Sequence, residues 1–379
     1  MPTRVTVLGA GFGGLELSAR LSEELGDDVR VTLIDQSDAF VFGYSKLDVM
    51  FGLRTFDEVR LPYVSIAIPG VDFRQERIVS IDPHAKHVVT DMGTYDSDIL
   101  VVALGADLDP SATPGLQEVG HEFYSHENAA LLRDVIAGFE GGNVVIAVLG
   151  GFFKCPPAPY ETAFMMHDYL TRKGLRASST ITIVTPMPKP IPISDEVSGA
   201  ITGLLDERGI TYSHGTWVDH VDPAAHVVHL RDGQKVPFDL LLAIPVHCAP
   251  AVVVESGLTE EDGWIAVDPD TLATKFADVF AVGDVASAPV PRAGVIAEGE
   301  ARTVADVLVH RLKGGPEAPP FLGEILCLME MGGGGVARVS VNFRSGPNPT
   351  ARFMPPSLEG TEAKKAFGAA RRRRWFGQE

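Results

Sequence analysis

The stretch RVTVLGAGFGGLELSARLSEEL, residues 4–25, decides the fold. Its first six residues read as a buried strand. Gly9-Ala10-Gly11-Phe12-Gly13-Gly14 follows, matching G-x-G-x-x-G, and opens a helical stretch. Such a turn must reverse tightly, bring backbone close to a pyrophosphate and pack helix against strand. The helix N-terminus adds free N–H groups and positive potential. A second strand, VRVTLID, ends at Asp35, 21 residues after Gly14, near the usual place of a ribose-gripping carboxylate. Gly9, Gly11, Phe12, Gly13, Gly14 and Asp35 are therefore expected to build a dinucleotide site. The pattern alone does not separate FAD from a nicotinamide dinucleotide.

Two later segments extend this unit. YDSDILVVALGAD, residues 95–107, is a buried strand reaching Gly105, and FADVFAVGDVASA, residues 276–288, is another ending in Gly283-Asp284. A carboxylate at the carboxyl end of such a strand faces the ligand crevice. The alternative is an acidic cap on an ordinary α/β unit. A helix is expected to begin near Gly294.

The chain also repeats itself. DPHAKHVVTDMGTYDSDILVVALG begins at Asp82, and DPAAHVVHLRDGQKVPFDLLLAIP begins at Asp222. Each copy is preceded by a glycine-bearing strand end, VTVLGAGFGG and then VVIAVLGGFF. Two related nucleotide-type units follow from this. Residues 1–110 and 251–313 should form one unit and residues 111–250 the second. The run KGGPEAPP reads as a linker, and 314–379 as a small strand-rich closing domain that ends in a helix. The expected fold class is α/β, with tandem Rossmann-like dinucleotide-binding domains.

The second unit lacks a phosphate turn. After NVVIAVLGG comes FFKCPPAPYE, residues 152–161, with Phe, Lys, Cys and Pro where permissive glycines belong. Proline has no N–H to offer phosphate. The next strand, TITIVTP, ends without a ribose acid or a basic pair. This unit is expected to keep the fold and to have lost the nicotinamide cofactor.

The chain has 379 residues and a net charge of −18, which argues against a general nucleic-acid binder. No signal segment precedes the first strand, and no apolar run reaches 18 residues, so a cytoplasmic location is expected. The three cysteines, Cys155, Cys248 and Cys327, form no CxxC pair and are a poor disulfide framework. Each alone reads as a small buried hydrophobe. Cys155, however, lies just outside a helix N-terminus and beside Lys154, a setting that favours a thiolate. Glu161, in the first turn of that helix, reads as a cap or as a proton carrier, with spacing alone favouring the cap. The histidines show no ligand pattern, and no metal site is expected.

These motifs, taken over nearly the whole chain, resemble the two-dinucleotide-binding-domain flavoproteins, which are glutathione-reductase-like. CPPAPYE in particular resembles flavocytochrome c sulfide dehydrogenase and, more broadly, sulfide:quinone oxidoreductase. The resemblance implies FAD, with Asp284 on its ribityl chain and the helix near Gly294 aimed at the flavin. Val79 joins Gly105, Gly283 and Gly294 among the expected cofactor contacts. It also implies that Cys155 pairs with Cys327, in GEILCLMEMGGGGVARVSVNF, as a disulfide or sulfur bridge over the flavin. The position of Glu161 is that of a suspected proton carrier in the family. Leu328 follows Cys327 where the family often has Tyr. Cys248 is read as structural, because the family's additional cysteine precedes the CPPAP-like segment.

The implied chemistry is attack of hydrosulfide on the bridge, addition of the freed thiolate to the flavin and growth of a polysulfide. The expected acceptor is a quinone. No CxxCH motif provides a haem attachment. The run LEGTEAKKAFGAARRRRWFG, with Lys364, Lys365 and Arg371 to Arg374, suits either peripheral contact with the inner face of the membrane or a helix folded onto the body. A homo-oligomer is compatible with the sequence. Two other readings stay open: an NADH-dependent dehydrogenase feeding quinones, and a flavin-bearing redox sensor without turnover.

Overall fold

In the computed structural model, which describes residues 1–378, the strand Thr3–Leu8 sits at the centre of a five-stranded parallel sheet. Its neighbours are Val29–Asp35 and Ile99–Val102. Val71–Gln75 and Val279–Ala281 form the edges. The central strands are buried on both faces, which is why their apolar runs are continuous rather than alternating. The sheet thus draws strands from both ends of the sequence. The helices Phe12–Leu25 and Gly294–Lys313 pack against each other.

A second parallel sheet has the order His121–Glu122, Leu240–Ile244, Gly142–Val148, Ser179–Val184, Ile210–Ser213. A third sheet, antiparallel, is made of Glu324–Glu330, Val336–Asn342 and Thr350–Ser357, and leads directly into the helix Leu358–Phe376. The sequence repeat appears as two small antiparallel meanders. In both, an Asp carboxylate closes the turn: Asp82 accepts from the N–H groups of His84 and Ala85, and Asp222 from those of Ala224 and Ala225. Lys86 and His226, 140 positions apart, both adopt φ of 53°.

The glycine turn is forced sterically. Gly9 has φ of 99°, and a Cβ there would stand 2.4 Å from the Ala103 carbonyl oxygen. A Cβ on Gly14 would stand 1.9 Å from the Gly9 carbonyl oxygen. Both exceed what side-chain adjustment can relieve, because the obstructing atoms are backbone.

Part of the basic C-terminal run packs onto the body, while Lys365 and Arg373 stay exposed. Trp375 and Phe376 are buried in the core of the first unit, and the Trp375 indole lies edge-on to Phe12 and Phe40. Arg374 binds the carboxylates of Glu16 and Glu23, and Arg371 binds both oxygens of Glu298. Lys364 pairs with Glu330. Glu16 and Glu298, on the helices Phe12–Leu25 and Gly294–Lys313, and Glu330, on the third sheet, thus take up Arg374, Arg371 and Lys364. Among the described residues no helix is long and apolar enough to cross a membrane.

Candidate active site

A cavity of about 390 Å³ lies where the three sheets approach one another. Its walls come from the first glycine turn, residues 39–47, the loop at Phe123 and Tyr124, the segment 154–161, the Gly283-Asp284 turn, and strand residues Leu326 to Leu328. Phe367, from the C-terminal helix, completes it. A larger groove of about 570 Å³, around Lys189, Asp206 and His214, runs along the edge of the second sheet. It holds neither a cysteine nor a buried carboxyl, whereas the smaller cavity holds both.

Ten of the residues singled out from the sequence line this one cavity: Gly11, Phe12, Gly13, Gly105, Cys155, Glu161, Gly283, Asp284, Gly294 and Cys327. Gly9 and Gly14 shape the turn from behind. Asp35 accepts from the N–H groups of Ala10, at 2.7 Å, and Ser37, at 2.8 Å, so its carboxylate secures the turn. Val79 does not join them. It is exposed on the strand Ile78–Asp82 of the first meander, outside the cavity wall. Cys248 is exposed on Val246–Cys248, a strand paired with Asp107–Asp109.

The residues fit FAD. The two obligatory glycines make a cradle that a Cβ would fill, and a Cβ on Gly11 would meet nothing, so backbone there is open to a ligand. Asp284 turns a carboxyl to the cavity, and burial holds it above the ordinary carboxylate value. Gly294 and Val295 bring a helix N-terminus to the same wall. Under this turn, Glu300 is buried and accepts from the Gly283 N–H. Burial pushes its carboxyl up to about 8.

Cys155 and Cys327 arrive from different sheets. Cys155 has φ of 58° and donates its N–H to the Arg292 carbonyl oxygen at 2.8 Å. Cys327 sits on Glu324–Glu330, paired with Val339. No disulfide joins them in this structure. The expectation of a thiolate stabilised by the helix N-terminus needs correcting. Burial, with Glu161, Cys327 and Asp284 nearby, pushes the Cys155 thiol well above its ordinary value. Burial and then Glu161 push Cys327 up to about 12. The amides of Tyr160 and Glu161 are spent on the Pro157 carbonyl, and the Ala158 N–H, which does favour the thiolate, is outweighed by burial.

Glu161 does not cap its own helix. Its carboxylate accepts from the Glu330 N–H at 2.9 Å, reaching across to the strand that carries Cys327. Burial pushes it up to about 7, with Lys364 pulling the other way. Lys364 lies over the Tyr44 ring, 4.6 Å from its centroid, and Tyr44 stacks on Phe42. Sequence reasoning missed Lys46, Tyr44 and Tyr124. They lie in segments without a motif, and only their shared wall reveals them.

The second strand end carries other groups where the first carries its glycine turn. A Cβ on Gly151 would touch Trp217 at 3.2 Å, Lys154 Nζ donates to the Ala106 carbonyl oxygen at 2.9 Å, and three prolines occupy 156–159.

The sequence profile of pyridine nucleotide-disulphide oxidoreductases matches residues 3–301. The chain is 25% identical over 302 residues to a mouse protein named sulfide:quinone oxidoreductase, mitochondrial; this covers 76% of the chain and 66% of the mouse protein. The chain therefore spans about two thirds of that relative's length. It is 26% identical over 340 residues to a type II NADH:quinone oxidoreductase of Staphylococcus saprophyticus, covering 83% of each. The solved sulfide:quinone oxidoreductase of Aquifex aeolicus superposes with a TM-score of 0.87 at 23% identity, covering 97% of this chain and 90% of that one. That likeness establishes a common fold.

Proposed function

Because the chain belongs to the pyridine nucleotide-disulphide oxidoreductase family, as an FAD-dependent oxidoreductase, we propose that it oxidises sulfide through Cys155 and Cys327 and passes the electrons to a quinone. The observation that carries this reading is the convergence of two thiols, 172 positions apart in sequence, on the wall formed by the Gly9–Gly14 turn and Asp284. The relatives named for sulfide and quinone support it.

Bound FAD supplies a two-electron acceptor at this wall. The protein provides the rest. Domain packing holds both thiols at one surface, which makes their oxidation to a bridge an intramolecular event. Glu161, poised near neutrality, takes or gives a proton on the Cys327 side. Tyr44 and Phe367 offer apolar faces to a flat quinone ring, with Lys364 as a nearby charge.

A second reading, NADH as donor, draws on the staphylococcal relative. The occupied turn at residues 150–157 weighs against it. Anaerobic mixing of the oxidised protein with sulfide, and separately with NADH, distinguishes the two through bleaching of the flavin. Rapid bleaching by sulfide alone is expected. Unchanged bleaching and turnover in both Cys155→Ser and Cys327→Ser would eliminate the cysteine pair, and bleaching by NADH alone would select the second reading.

A further inference from the structure

Cys155 is held in a strained backbone conformation by a residue that no motif announces. Its φ of 58° lies in the left-handed region, which a residue with a Cβ adopts rarely and keeps only where its surroundings impose it. Both of its backbone groups are tied. The carbonyl oxygen accepts from the Ala158 N–H at 2.9 Å, within the same segment. The N–H donates at 2.8 Å to the carbonyl oxygen of Arg292, which belongs to the first unit.

Arg292 lies in the connection 286–293, between the Gly283-Asp284 turn and the helix Gly294–Lys313. Pro289 and Pro291 restrict the backbone there. The Arg292 Nε donates to the Asp284 carbonyl oxygen at 2.7 Å. Its guanidinium lies 3.8 Å from the centroid of the buried Trp264 ring and 5.7 Å from that of Phe152. Trp264 and Asp284 belong to the first unit, Phe152 and Cys155 to the second. Phe152 precedes Cys155 by three positions and is 75% exposed, so its ring is no part of a core. Asp284, Ala293 and Cys155 line the cavity, whereas Arg292 lies outside its wall. Its side chain thus spans the two units directly behind the reactive sulfur.

We propose that Arg292 is a positioning residue: a clasp that sets the Cys155 backbone against the turn carrying Asp284, and so fixes where the Cys155 thiol meets Cys327. The inference rests on the cysteine-pair reading above. A guanidinium is flat and donates from its edge, so it can stack on aromatic rings while it binds the Asp284 carbonyl; an ammonium lacks that face. Lys154 ties the same segment by a second route, donating to the Ala106 carbonyl oxygen at 2.9 Å. Loss of the Arg292 side chain should therefore shift the segment rather than release it. A displacement of that kind is enough to lower the efficiency of an intramolecular reaction between two groups that must meet in one geometry.

The test uses flavin-loaded protein with Cys248→Ser, equilibrated anaerobically with mixtures of glutathione and glutathione disulfide. Closing the bridge takes two electrons and two protons from the thiols, and glutathione disulfide accepts them to give two molecules of glutathione. After acid quenching and alkylation, mass spectrometry of the peptides holding Cys155 and Cys327 gives the equilibrium constant for closure. Arg292→Met should lower it about tenfold, which raises the reduction potential of the pair by roughly 30 mV. Arg292→Lys, which keeps the charge without the flat face, should fall between. Phe152→Ala, at the exposed end of the clasp, should lower the constant about threefold, as befits an exposed cation–π contact, and does not threaten folding. A general loss of stability would not move this constant, because both forms it compares are folded. An Arg292→Met value within about twofold of the parent, the spread of an ordinary surface change, would overturn the proposal. Should Arg292→Met fail to fold, a Phe152→Ala value equal to the parent's would overturn it instead. A parent that closes no bridge at any ratio defeats the cysteine-pair reading and the clasp together, whereas a parent bridge that these variants leave unchanged defeats the clasp alone.

Discussion

Replacing Arg371 with Met should loosen the C-terminal helix from the body by a measurable and pH-dependent amount. Glu298 is 2% exposed and receives two hydrogen bonds from the Arg371 guanidinium, whose side chain is 17% exposed. Removing one partner of such a pair leaves a buried charge uncompensated and costs about 3–5 kcal/mol. Arg302 also reaches Glu298, at 3.3 Å, and, though half exposed, compensates part of the charge, so we expect a loss at or just below the foot of that range, about 2–3 kcal/mol. Burial, only partly offset by Arg371 and Arg302, already holds the Glu298 carboxyl above its ordinary value. A carboxyl raised in the folded state contributes stability below its unfolded value and loses it as pH rises through the folded one. Without Arg371 the folded value climbs further. The deficit of Arg371→Met should therefore grow from mildly acidic to mildly alkaline pH. Glu298→Gln combined with Arg371→Met removes the orphaned charge, so the double variant should regain at least half of the loss and show no such pH trend. Urea unfolding in excess FAD, followed by tryptophan fluorescence, measures all three. A single variant within about 0.5 kcal/mol of the parent at alkaline pH, the range of an ordinary surface change, would refute the reasoning and return the helix to a peripheral role. A double variant no better than the single would refute the uncompensated charge.

Glu161→Gln should flatten the pH dependence of flavin reduction by sulfide around neutrality. The parent carboxyl titrates at about 7, protonated below and available as a base above, and stopped-flow rates across that range test it. A midpoint persisting in the variant would assign it elsewhere. Gly9→Ala forces φ of 99° on a residue with a Cβ 2.4 Å from a carbonyl oxygen, so purified protein should lose most of its bound flavin, read as the ratio of visible to ultraviolet absorbance. Glu300→Gln should remove pH dependence from FAD release above neutrality. In the parent, a carboxyl raised to about 8 ionises there and the turn it supports loses stability, so dissociation should quicken with pH; equal slopes in both proteins would dismiss the role.

The parts of this architecture that were legible in sequence are those that backbone sterics impose. Gly9 and Gly14 leave no alternative at their positions, and the repeat at Asp82 and Asp222 shows because the same side chain closes the same turn twice. Charge pairing was not legible. Nothing local announces that Arg374 meets Glu16 across 358 positions, and so the basic run read equally well as a lipid-facing surface. Glu161 was ambiguous for a related reason: its acceptor site lies 169 positions away, on a strand edge that spacing does not reveal. The Cys155 thiol went astray because a helix N-terminus is visible in sequence and desolvation is not. Val79, named as a contact, belongs to a meander whose outward face only the register makes plain.

The contact of Trp375 with Phe12 and Glu16 joins residues made far apart in time, since tryptophan and glutamate are 359 positions apart. On the ribosome, the phosphate-binding loop emerges early and waits uncovered through the synthesis of everything that follows. Until the helix Leu358–Phe376 docks, the glycine turn lacks the cover that Trp375 gives to Phe12. A fusion partner appended downstream would delay that docking, and the order of these events would show in how much flavin stalled chains retain.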